Sequence, residues 1–130
     1  MEPETTEPMM HIGELADRTE LSLRTIRHYD EVGLLKPSGR TEGGFRLYTE
    51  GDFSRLMLIR RMKPLGFSLE EMGELLRIIG VLDTGEDPEL RADLGRFIEQ
   101  ATEQRHKLQR QLDMADEFLT LLQGQKALPT

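Results

Sequence analysis

Leu21-Ser22-Leu23-Arg24-Thr25-Ile26-Arg27-His28-Tyr29-Asp30-Glu31-Val32-Gly33-Leu34-Leu35 reads as one short helix with both ends marked. Ser22 is a good N-cap, because its hydroxyl can accept from the unpaired amides of the first turn. Gly33 is a good stop, because it can take the left-handed conformation that closes a helix. Between them Ile26, Tyr29 and Val32 make a narrow apolar stripe at helical spacing. The opposite face carries Arg24, Thr25, Arg27 and His28. A short helix with a cationic, hydrogen-bonding face is what a DNA major groove can admit.

The flanks fit a helix-turn-helix. His11 to Arg18 reads as a short helix with Ile12, Leu15 and Ala16 inward, and residues 19–22 as a tight turn. On the other side Pro37 forces an extended chain. Ser38 to Tyr48 then alternates in character around Gly43-Gly44, which predicts a small β-hairpin. Phe45 and Leu47 would share one face, Arg46 and Tyr48 the other. A hairpin beside a helix-turn-helix is a wing, whose Arg and Tyr can reach phosphates.

Thr49 opens another helix with Asp52 at N3, and Phe53, Leu56, Met57 and Ile59 turned inward. Pro64 closes it, and Leu65-Gly66-Phe67 is a turn. Ser68-Leu69-Glu70-Glu71 is a full capping box, with Leu69, Met72, Leu75, Leu76 and Ile79 as the buried set. Residues 80–87 read as a loop. Asp87 and Pro88 then start a long helix. Along it Leu90, Leu94, Phe97, Ala101, Leu108, Ala115, Phe118 and Leu122 keep a 4-3 spacing, interrupted by Gln104 and Gln111. This is a coiled-coil seam, and a stripe that long needs a partner chain. The expected organisation is a disordered acidic tail at 1–10, a winged helix-turn-helix at 11–80, a linker at 81–87, a dimerising helix at 88–123 and a short tail at 124–130. The fold class is mainly α.

Composition narrows the function. The net charge is −7 over 130 residues, but it is unevenly spread. Residues 11–67 carry ten Lys/Arg against eight Asp/Glu, and residues 68–130 carry seven against thirteen. The basic excess sits with the opening helix, which permits a nucleic-acid partner. There is no Cys, so no disulfide or thiolate chemistry, and a cytoplasmic protein is expected. No apolar run is long enough for a membrane span, and the acidic N-terminus does not resemble a signal peptide. His11, His28 and His106 are scattered without i, i+4 pairing, so no metal site is expected, and no cofactor either. Nothing in the spacing suggests a catalytic triad or a phosphate loop, so the chain does not read as an enzyme.

Ile12-Gly13-Glu14-Leu15-Ala16, the run from Ser22 to Pro37, Arg40-Thr41-Glu42, Arg46-Leu47-Tyr48 and Leu65-Gly66-Phe67-Ser68-Leu69-Glu70-Glu71 resemble the MerR family of bacterial transcription regulators. The resemblance covers residues 11 to about 80 in order. It implies a homodimer joined by an antiparallel coiled coil, on a pseudo-palindromic operator in the promoter spacer of double-stranded DNA. Such regulators distort that spacer so that RNA polymerase can engage. Carried over residue by residue, Arg24, Thr25, Arg27 and Tyr29 would contact DNA from the recognition helix, and Arg40, Arg46 and Tyr48 from the wing. The loop from Lys63 to Phe67 looks like a second wing.

Three departures stand out. Glu20 occupies a turn position where glycine is common, His28 stands where a second tyrosine is common, and Phe45 replaces a tyrosine. The absence of Cys excludes the thiolate ligation of the metal-sensing branches. A small organic effector, or none, both stay open. Two readings of Tyr29 also stay open, as a core residue or a DNA contact. The rival to DNA binding is a coiled-coil interaction module whose helix-turn-helix docks a protein.

Overall fold

Four side chains open four of the five helices. Ser22, Thr49 and Ser68 accept from the amides of Thr25, Asp52 and Glu71 at 3.0, 3.1 and 3.1 Å, and Asp87 from those of Glu89 and Leu90 at 3.1 and 3.2 Å. Each bond satisfies an N-terminal amide that has no partner within its helix. At Thr49 and Ser68 the box is complete: Asp52 and Glu71 accept in return from the two cap amides, both at 2.9 Å. The chain, a computed structural model describing residues 8–127, therefore has the helices α1 Ile12–Thr19, α2 Leu23–Glu31, α3 Glu50–Met62, α4 Leu69–Thr84 and α5 Pro88–Ala127. A 3-10 turn, Lys63–Leu65, follows α3 and is closed by Gly66 at φ 83°.

Three short strands complete it: β1 Met10–His11, β2 Gly39–Arg40 and β3 Arg46–Tyr48. They form one antiparallel sheet in the order β1-β3-β2. Met10 pairs with Tyr48, and Arg40 with Arg46. The hairpin of β2 and β3 is the wing. The strand β1 was not expected: Met10 belongs to the stretch 1–10 read as a disordered tail, yet it is buried in the sheet. Its side chain is apolar and shares a sheet face with Tyr48, which gives it something to pack on. Residues 1–7 of that tail lie outside the described residues.

The chain divides into two compact units, residues 1–80 and 81–130. In the first, α1 packs against α2, α3 and the sheet. Leu15, Ile26, Leu56, Ile59 and Tyr48 are fully buried, with Met62, Phe67, Met72 and Ile78 beside them. Val32, expected on the buried stripe of α2, is exposed, because the helix ends at Glu31 and the chain turns outward. Leu35 is the next buried residue. Leu69 is exposed, and Leu75, Leu76 and Ile79 are half-buried, so α4 hides a narrower face than its spacing suggested.

Two boundaries move. The helix α4 runs through Gly80 to Thr84, where a loop over 80–87 was expected, and only residues 85–87 separate it from α5. The helix α5 continues to Ala127, beyond residue 123, and residues 128–130 lie outside the described residues.

Candidate nucleic-acid interface

The helix α2, expected to be the recognition helix, is held by the turn before it. Glu20 sits there in the left-handed region, φ 59° and ψ 29°, as the non-glycine departure suggested. Its carboxylate accepts from Arg60 on α3 at 2.8 Å, which ties the turn to the third helix. Behind α2, Arg18 forks onto Glu50, one contact at 3.1 Å, and its guanidinium lies 4.0 Å from the Phe53 ring centre. The hydrogen bond from Arg18 holds the Glu50 carboxyl below its ordinary value.

Arg24, Arg27 and His28 are exposed on the outer face of α2, and Thr25 is half-buried. Among the described residues, the Arg24 and Arg27 guanidiniums have no carboxylate partner. Two free cations on the exposed face of a helix-turn-helix helix can take phosphates or base edges. Beside them runs an open groove of about 400 Å³. Arg24, Thr25, His28 and Lys63 supply polar groups to its walls, while Tyr29, Phe67, Leu69 and Met72 supply apolar surface. Five of the expected DNA-binding residues thus meet at one place, with Lys63 brought from the turn after α3. Arg27 stands outside this groove, on the same helix.

Tyr29 has both of the characters left open for it. Its side chain is 3% exposed, and burial pushes its phenol above the ordinary value. It nonetheless borders the groove, its ring 6.3 Å from that of His28.

The wing departs from expectation. Tyr48 was expected to reach a phosphate; instead it is 0% exposed, and among the described residues its hydroxyl has no hydrogen-bond partner. Met10 stands opposite it across the sheet and is buried too, so Tyr48 is a core residue. Arg46 is half-buried and donates from Nε to Asp30 Oδ2 at 2.7 Å; this hydrogen bond raises its pKa further. Arg40 reaches the same oxygen at 3.4 Å and donates to the carbonyl of Gly44 at 2.9 Å. Lys36 lies 3.9 Å from the other Asp30 oxygen. Two expected phosphate contacts, Arg40 and Arg46, are therefore gathered at an acidic residue of α2.

Asp30 was missed. It lies in the last turn of α2, where the helix dipole disfavours an anion. Here Lys36, Arg40 and Arg46 offset that cost. Leu69 and Met72, read as core residues, and Phe67, read as a turn residue at the end of the second wing, are also part of the groove.

The seam residues lie in the second unit. Leu90, Leu94, Phe97 and Ala101 are half-buried, whereas Leu108, Ala115, Phe118 and Leu122 are exposed on α5. Among the described residues, no group of three or more His, Asp or Glu side chains could hold a metal ion, and no helix is long and apolar enough to cross a membrane.

Comparison with known proteins gives the same picture. Residues 10–78 match the pattern of the MerR HTH family regulatory proteins, and residues 53–124 that of the MerR DNA-binding region. The chain is 53% identical over 70 residues to the HTH-type transcriptional regulator ZntR of Escherichia coli (strain K12), covering 54% of this chain and 50% of that protein. It thus spans about half the length of that relative. With CueR of Salmonella typhimurium it is 34% identical over 117 residues, covering 88% of this chain and 80% of that protein. Among solved structures it is similar to HiNmlR, a MerR family regulator lacking the sensor domain, bound to promoter DNA. The TM-score there is 0.71 at 28% identity, covering 93% of this chain and 95% of that one. A MerR family transcriptional regulator from Bacillus cereus gives 0.62 at 31%, covering 95% and 87%. With both patterns matched and the winged helix-turn-helix in place, the chain belongs to the MerR family of regulatory proteins.

Proposed function

We propose that this protein is a cytoplasmic, sequence-specific DNA-binding transcription regulator. It acts as a homodimer on a pseudo-palindromic promoter operator and distorts the spacer so that RNA polymerase can engage. The observation that carries the reading is the outer face of α2, where Arg24 and Arg27 stand exposed and, among the described residues, without a carboxylate partner. The likeness to a regulator described as bound to promoter DNA supports it. In this reading Arg24, Thr25, Arg27 and His28 enter the major groove, the Tyr29 edge and Lys63 meet the backbone beside it, and Arg40 and Arg46 approach from the wing. Tyr48 has no part in the contact.

Binding to duplex DNA against salt tests it. The logarithm of affinity should fall linearly with the logarithm of salt concentration, by about 0.9 for each phosphate neutralised. Arg27→Ala should weaken binding roughly tenfold or more. Arg91→Ala, whose guanidinium on α5 pairs with Glu86 at 2.6 Å, should stay near wild type. Equal losses in the two variants would remove α2 from its assigned place, and absence of binding at low salt would overturn the function.

A further inference from the structure

The wing has an electrostatic problem that the recognition helix solves. Arg40 and Arg46 stand directly opposite each other across β2 and β3, and like charges so placed repel. One carboxylate offsets both. Asp30 reaches from the last turn of α2, 8% exposed, and its Oδ2 accepts from Arg46 at 2.7 Å and lies 3.4 Å from Arg40. Lys36, just before the wing, lies 3.9 Å from Oδ1. Three cations from residues 36–46 thus converge on one acid that belongs to another element.

The far edge of the wing has its own anchor. Ser38 donates to the buried Asp52 at 2.6 Å, and Asp52 also caps α3 through the amide of Thr49. The strand β3 is additionally paired with β1. Of these ties, only the Asp30 cluster joins the wing to the recognition helix itself.

From this we infer that Asp30 is a positioning residue for DNA binding: through Arg46 and Arg40 it sets the wing relative to α2, so that helix and wing meet a duplex as one rigid surface. This rests on the DNA-binding reading above. It makes an unusual demand. Asp30 is an anion in contact with two arginines proposed to meet DNA, and charge alone would have its removal strengthen binding to every sequence. A positioning role requires that removal loosen the wing and cost discrimination.

The test uses the full-length protein and two probes: a duplex pool of random 40-mers, and the duplex that the wild type selects from that pool. The readout is the ratio of the two affinities. Asp30→Asn should lower that ratio about tenfold, and Asp30→Glu should restore most of it. Arg46→Ala should lose about as much, and the double variant Asp30→Asn/Arg46→Ala no more than either alone, because both break one linkage. In the free protein the Arg46 Nε–H resonance should be distinct in the wild type and Asp30→Glu, and collapse onto the solvent-exposed arginines in Asp30→Asn. Should Asp30→Asn fail to fold, Arg46→Lys keeps the charge and loses the planar donor, and it should lower the ratio too. A wild-type ratio in Asp30→Asn or Arg46→Lys, or losses that add in the double variant, overturns the proposal alone. Failure of the wild type to bind either probe overturns the DNA-binding reading and this proposal with it.

Discussion

At Tyr48 the buried hydroxyl works against the fold. A phenol oxygen taken out of water without a partner costs free energy that its ring must outweigh. Tyr48→Phe should therefore be as stable as the wild type or more stable, by up to about 1 kcal/mol in urea unfolding, with duplex affinity unchanged. Loss of affinity in a folded Tyr48→Phe would return the hydroxyl to the DNA. Burial also raises the Tyr48 and Tyr29 phenols above their ordinary value. Their contribution to stability is thus full below the unfolded value, about pH 10, and is lost as pH rises through the raised folded values. The alkaline fall in melting temperature should be shallower in Tyr48→Phe, with Tyr29 accounting for what is left. The alternation from Phe45 to Tyr48 placed Arg46 and Tyr48 on one face, and it could not show that Met10 pairs opposite Tyr48. Local pattern identifies strands; what lies across the sheet comes from distant chain. Glu20 was legible only through the resemblance, which makes glycine common at that turn position, and its φ of 59° fits that.

At the scale of elements, starts were more legible than stops. Each predicted N-cap forms, because a hydroxyl or carboxylate bonding to an amide two or three residues on is set by adjacent sequence. Ser22→Ala should cost about 1 kcal/mol, measured by chemical unfolding, and should lower DNA affinity less than Arg27→Ala does. A cost near zero would mean that tertiary packing alone holds the start of α2. The two stops that moved were both placed near a glycine. Gly80 and Gly124 are helical, whereas Gly33 and Gly66 take positive φ and do end their elements. A glycine inside a helix costs only about 1 kcal/mol, less than a run of flanking backbone bonds contributes, so the residue alone does not decide. The apolar spacing read along α5 falls within one helix, and it is not the only such stripe there. Leu112 and Leu119 are exposed on α5 as well, and with Leu108, Ala115 and Leu122 they follow the same 4-3 spacing.

For the whole molecule, the long helix sets the next expectation. Its 40 residues extend about 60 Å at roughly 1.5 Å per residue, and its second half leaves Leu108, Phe118 and Leu122 exposed. Isolated chains rarely present such a stripe to water, which supports the proposed homodimer. The full-length protein carrying Phe118→Glu and Leu122→Glu should sediment as a monomer where the wild type sediments as a dimer; a variant that stays dimeric would move the interface off this stripe.

The strand β1 has a consequence of another kind. It is only Met10 and His11, yet it lies beside β3 and makes β3 the middle strand of its sheet. Without those two residues β3 would become an edge, with its outward amides and carbonyls open to any other extended chain. The strand most central to the wing would then be a template for association between molecules. A shortened protein that begins at Ile12 should therefore associate more readily than the full chain, besides losing the buried methionine.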